Sequence, residues 1–189
     1  MSLEERRNLL VGLLNDPQEK VRLAASAALE RLEACQEFEQ ILESLASSKR
    51  GLRIKAIFAM EYVTRAEVFP HLINLLKDPD ADVRSAAIQV LGAKAHPKSL
   101  NRLVRHLNYP APAVRVHTAE ALGHFNDDRL VPYLAAVLKS ADEQLVVAAI
   151  HSLQTIGASE ALEPLAGMAG DPRAVVREAV AEALGTLPL

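Results

Sequence analysis

Branched aliphatic residues recur every 31 positions along this chain: Val21, Leu52, Val83, Val114, Leu145 and Val176. The next column reads Arg22, Arg53, Arg84, Arg115, Val146 and Arg177. Seven residues before the anchors stand Leu14, Leu45, Leu76, Leu107, Leu138 and Ala169; eight after them stand Leu29, Met60, Leu91, Leu122, Leu153 and Leu184. The 189 residues hold six such periods with three residues over, and no insertion or deletion interrupts the columns. A sustained period of this size marks a stack of supersecondary units, none of which buries its apolar face alone. The columns therefore predict one continuous domain over residues 1–189, with no linker.

Within a unit the apolar spacing is helical. In repeat three, Phe69, Leu72 and Leu76, and then Val83, Ala86, Ala87, Val90 and Leu91, follow i, i+3, i+4, i+7 steps. Between the two runs lies Asp78-Pro79-Asp80, with similar breaks at Asp16-Pro17, Asn108-Tyr109-Pro110 and Asp171-Pro172. Proline lacks an N–H and has a fixed φ, so it ends one helix and suits the first turn of the next. Each repeat then reads as a first helix (A), a tight turn and a second helix (B). Alanines fill the core columns of the B helices (Ala24, Ala25, Ala28; Ala86, Ala87; Ala148, Ala149), which lets neighbouring helices approach closely. The predicted fold is all-α, a right-handed α-α superhelix of six helix pairs.

Composition narrows the function. A single cysteine, Cys35, excludes an intramolecular disulfide framework and any multi-cysteine metal site, and fits a reducing compartment. The start, MSLEERR, is charged, unlike a secretory signal, and the apolar stretch Leu130–Leu138 is too short to span a bilayer. A cytoplasmic location is expected. The chain carries none of the zinc-protease, redox-cysteine, nucleophile-elbow, dinucleotide or phosphate-loop motifs, and Cys35 has no adjacent histidine to activate it. Neither catalysis nor a cofactor is expected.

The runs Asp16-Pro17…Val21-Arg22…Ala28-Leu29 and Asp171-Pro172…Val176-Arg177…Ala183-Leu184-Gly185 resemble HEAT repeats, over essentially the whole chain. The 31-residue length is similar to the short class found in phycobilisome-lyase-like HEAT proteins. The resemblance implies a solenoid with a ladder between the turn aspartates and the B-helix arginines, here Asp16, Arg22, Asp78, Arg84, Asp171 and Arg177. Functions within the family include scaffolds, regulators, bilin lyases, a hydroxylase and DNA glycosylases. The hydroxylase needs His-Glu dipeptides, and none of the six histidines is followed by Glu. The glycosylases use Trp against DNA, and this chain has none. A bilin-lyase-like or other maturation role stays open by repeat type alone.

What remains is surface. In such solenoids the B helices line the concave face, which here collects Ile54, Lys55, Phe58 and Tyr62 from repeat two, with Ser85, Gln89 and Ala93 from repeat three. Val116, His117, Glu120 and His124 follow from repeat four, Val147, His151 and Thr155 from repeat five, and Glu178 and Glu182 from repeat six. The expected function is a non-enzymatic scaffold or adaptor, with this face holding a peptide or helix of another protein and Phe58 and Tyr62 as anchors. The bland alternative is that these rings cover the flank of the next repeat. Inside the strip, His117, Glu120, His124 and His151 fall near enough to one another to be weighed as a divalent-metal site, against a solvated cluster as the plainer reading.

Charge singles out a second region. Residues 83–119 hold no acid but six Lys or Arg, although the chain as a whole carries a net charge of −3. Lys98, Arg102 and Arg105 fall at i, i+4, i+7, a basic stripe on the convex side that would suit an acidic partner or a nucleic-acid backbone. At the ends, Ser2 is placed to cap the first helix. Ala174, Val175, Ala179 and Val180 leave the last repeat apolar, which would allow self-association there.

Overall fold

A computed structural model describes residues 2–187, with only the backbone described at 30–31 and 34–36, so the side chain of Cys35 lies outside the described residues. All regular structure in the described residues is helical, as the periodicity predicts. No helix among them is long and apolar enough to cross a membrane. The chain groups into two compact units, Met1–Ser48 and Lys49–Leu189.

The first unit is α1 (Leu3–Leu13) packed on α2 (Glu19–Leu45). Ser2 opens α1 with a reciprocal cap: the Glu5 N–H donates to Ser2 Oγ (3.1 Å) and the Ser2 N–H donates to Glu5 Oε2 (2.6 Å). One junction differs from the expected alternation of helix and turn. The B helix of repeat one and the A helix of repeat two run together as α2, 27 residues long. The cause is local: no proline or glycine interrupts Glu19–Leu45, so nothing stops the helix.

The second unit holds α3 (Arg50–Tyr62), α4 (Val68–Leu75), α5 (Ala81–Lys94), α6 (Pro97–His106) and α7 (Pro112–Gly123). It continues with α8 (Val131–Val137), α9 (Glu143–Ile156), α10 (Leu162–Ala166) and α11 (Ala174–Thr186), short 3-10 turns leading into α8 and α10. The odd-numbered helices are the B helices and stack in a row, α3 on α5, α5 on α7, α7 on α9 and α9 on α11. Each even-numbered A helix packs on the B helix that follows it. The anchors Val83, Val114, Leu145 and Val176 are at most 2% exposed, and Met60, Leu91, Leu122 and Leu153 are wholly buried. At the edge of the unit the same column surfaces, with Leu52 46% exposed.

Helix boundaries follow from side chains. Asp80 caps α5 and Asp142 caps α9, each accepting from backbone N–H groups of the first turn. Gly157 ends α9 at φ +71°, a conformation glycine adopts freely; Ala95 ends α5 at φ +44° without that freedom. Two other glycines set the stacking distance. A Cβ on Gly92 would lie 2.5 Å from Ala121 Cβ and 2.7 Å from its Cα, and one on Gly123 would lie 2.9–3.0 Å from Ser152. The α5–α7 and α7–α9 backbones approach that closely because these positions carry no side chain.

The arginine column does two jobs. Inside a repeat four of the arginines tie the B helix to its own turn: Arg84 donates to the Asp78 carbonyl oxygen (2.6 Å), Arg115 to that of Tyr109 (3.2 Å), and Arg177 to that of Asp171 (2.6 Å). Arg22 does the same to the Asp16 carbonyl at 2.8 Å. Between repeats the contacts vary. Arg53 donates to Asp78 Oδ1 (3.2 Å), and the side chains of this ion pair are only 14% and 9% exposed. Arg84 lies 4.7 Å over the ring of Tyr109, which stands where an aspartate would. Arg115 reaches Asp142 Oδ2 at 3.0 Å. Repeat five has Val146 in the column, and there Arg173 reaches back to the Ser140 carbonyl oxygen instead (3.2 Å).

Candidate binding face

The exposed sides of the B helices of the second unit form the face on which the sequence placed its candidates. On α3, Phe58 is 39% exposed and Tyr62 83% exposed, with Ile54 half-buried beside them. Tyr62 thus stands open, while more than half of Phe58 is covered. Farther along, an open groove of about 380 Å³ runs across α7, α9 and α11. Val116, Val147, Ala148 and Val175 supply its apolar lining, and Glu120, Glu143, Gln144 and His151 its polar side chains. Val116, Glu120, Val147 and His151 are thus brought together as neighbours. Glu143 and Gln144 were not singled out from the sequence, and Val175 was marked only as part of the apolar last repeat. The helical period could have found Glu143, one turn before Val147 on the same side of α9.

The other candidates lie apart from that groove. His117 Nδ1 is 3.0 Å from Gln89 Nε2 on α5 and 3.1 Å from Glu120 Oε2. One nitrogen cannot serve both: bare, it accepts from the Gln89 amide, and protonated, it donates to Glu120. His124 is the exposed C-cap of α7, directed to neither group. Among the described residues no three His, Cys, Asp or Glu side chains gather where a metal ion could be held. His117 and Glu120 pair, while His151 shares the groove with Glu120 alone.

The last repeat is less open than its sequence suggests. Ala179 and Val180 are buried at 4% and 2% exposure, because α11 turns them onto the stack; Val175 stays 49% exposed and lines the groove. Asp171 is pinned at the turn before α11 by Arg173, whose Nε lies 2.9 Å from Oδ1 and whose NH2 lies 2.8 Å from Oδ2. These bonds to the charged form hold its carboxyl at about 2.

The basic stripe lies on α6, where Lys98, Arg102 and Arg105 are all exposed. Lys94, in the same acid-free block, is committed to structure. Its Nζ donates to the carbonyl oxygens of Glu61 (2.9 Å) and Val63 (2.8 Å), closing the end of α3, and burial lowers its pKa.

Family models and solved structures agree with this architecture. The HEAT-repeats model matches residues 38–113 and 107–185, and the HEAT-repeat model matches residues 7–36. A search of curated proteins finds no match. The CpcE–CpcF complex of phycocyanin lyase from Nostoc sp. is similar in fold (TM-score 0.69, 24% identity) over 79% of this chain, which spans 64% of that one. A designed armadillo repeat protein bound to a (KR)4 peptide aligns over the full length of both chains (TM-score 0.62, 15% identity). The Escherichia coli protein YibA aligns over 97% of this chain and 67% of its own (TM-score 0.59, 23% identity). With four sequence columns recurring through six repeats, helices stacked in register and both models covering most of its length, the chain belongs to the HEAT-repeat family.

Proposed function

We propose that this protein is a non-enzymatic scaffold or adaptor that holds a segment of another protein against its B-helix face. The observation that carries the reading is the groove across α7, α9 and α11, where an apolar lining meets the carboxylates of Glu120 and Glu143. A peptide or helix with an apolar anchor and a Lys or Arg beside it is complementary to that chemistry. The open rings of Phe58 and Tyr62 on α3 offer further anchoring area, since exposed aromatics dominate the energetics of such contacts. The armadillo relative holds its basic peptide in a complex of comparable architecture, which supports the same mode here.

The test is a binding comparison between the wild type, Phe58→Ala/Tyr62→Ala and Val147→Asp, first by affinity capture and then with the captured partner purified. A partner lost from either variant, with helicity unchanged, supports the face. Capture unaffected by both variants places binding elsewhere. A second reading, a maturation factor of the bilin-lyase kind, draws support from the repeat type and the likeness to phycocyanin lyase. It expects visible absorbance to coelute with the chain after incubation with a bilin, and a colourless protein after that incubation counts against it.

A further inference from the structure

The opposite side of the second unit carries a groove that the B-helix reading does not use. Two adjoining pockets of about 470 and 400 Å³ lie between α4 and α6 and share Ile73, Lys77 and Arg102. Their floor is apolar, built from Phe69, Pro70 and Ile73 of α4. Lys77, Lys98 and Arg102 rim one pocket, Arg105 extends the rim along the other, and no carboxylate lines either. All four cations are exposed, and none takes part in an ion pair among the described residues. By contrast, the interior arginines Arg53 and Arg115 are bound to aspartates.

We propose that this α4–α6 groove docks an acidic amphipathic helix of another protein, its apolar side on Phe69 and Ile73 and its carboxylates against Lys77, Lys98, Arg102 and Arg105. Charge complementarity selects an anionic occupant. Spacing gives its size: from Lys98 to Arg105 along α6 is ~10 Å, about two turns of helix. The floor selects a peptide over a nucleic acid. Single strands bind by stacking bases on open aromatic faces. Here the Phe69 ring lies 3.8 Å from the ring of His96, and Tyr109 is stacked on His106 at 5.5 Å and covered by Arg84 at 4.7 Å. With neighbours already set against these rings, a polynucleotide would meet mainly the rim, leaving the apolar floor wet. A small inorganic anion would leave it equally uncovered. An amphipathic helix satisfies floor and rim together.

The test uses a fluorescein-labelled synthetic helix with leucines along one side and glutamates along both flanks, read by fluorescence anisotropy at low salt. Saturable binding is expected, weakened at least ~10-fold in Lys98→Glu/Arg102→Glu and again in the milder Lys98→Gln/Arg102→Gln, with unchanged circular dichroism. A second peptide with serine in place of leucine keeps the charge and is expected to bind at least ~10-fold more weakly. A single-stranded oligonucleotide of matching length is expected to bind more weakly than the leucine peptide. Absent binding at low salt, affinity indifferent to both charge variants, or equal affinity for the serine peptide would each overturn the proposal. Tighter binding of the oligonucleotide would overturn it in favour of a nucleic-acid backbone. Phe58→Ala/Tyr62→Ala should leave the peptide affinity unchanged, so failure here and failure of the B-helix face are read separately; loss in that variant would put the peptide on the other side of the molecule.

Discussion

Replacing Gly92 with alanine tests whether backbone proximity sets the stacking of the repeats. The added Cβ would sit 2.5 Å from Ala121 Cβ and 2.7 Å from Ala121 Cα, where carbon atoms rest at about 3.5–4.0 Å. No rotamer change relieves a clash with a Cα, so α5 and α7 must separate by ~1 Å along that line. Overpacking of this kind costs about 1–3 kcal/mol, and a blocked backbone belongs near the top of that range. Alanine returns about 1 kcal/mol of helix propensity, leaving a net loss of about 2 kcal/mol. For a chain of this size that lowers the melting temperature by roughly 4–8 °C. Two further glycines in the same repeat column grade the effect. Gly123→Ala meets Ser152 at 2.9–3.0 Å, partly through a hydroxyl that can turn, and should lose about half as much. Gly185→Ala has nothing within 4 Å and should melt at or above wild type. Thermal melts followed by far-ultraviolet circular dichroism measure all three. A Gly92→Ala protein as stable as wild type, or three equal losses, would refute the reasoning.

Two smaller perturbations address single sites. Ala95→Gly relieves a left-handed residue at the end of α5, and the relief outweighs the added freedom of the unfolded chain, so stability should rise by about 0.5 kcal/mol; a lower melting temperature counts against this. Asp171 titrates at about 2 in the folded protein, below the usual value of about 3.9, so its contribution is complete above pH ~4 and is lost as pH falls toward 2. Carboxyl chemical shifts should show that midpoint, Arg173→Ala should raise it, and a wild-type midpoint above about 3.5 would contradict the bidentate geometry.

The fold was readable from the sequence because burial repeats with the chain: Val83, Val114, Leu145 and Val176 occupy one column and one environment. The fused α2 was not, since the repeat pattern says where helices fall but only a breaker says where they stop. The candidate face was readable in part. Position on a B helix correctly made neighbours of Val116, Glu120, Val147 and His151, because one helical face is a local property. The α4–α6 groove was visible only as three cations on one helix. Its floor comes from Phe69 and Ile73, a repeat earlier, and no spacing rule within α6 reports what α4 places opposite it.

The inter-repeat arginine contacts bear on how a chain of similar units assembles correctly. Repeats that look alike can mispair, with one skipping its neighbour to stack on the next but one. In this protein three successive junctions are chemically distinct: Arg53 seeks a carboxylate at Asp78, Arg84 seeks the ring of Tyr109, and Arg115 seeks a carboxylate displaced to Asp142. A stack that omitted repeat three would set Arg53 against the Tyr109 ring and leave Asp78 without its cation. Unequal junctions therefore act as addresses, so that repeats two to five have one order in which Arg53, Arg84 and Arg115 are each matched.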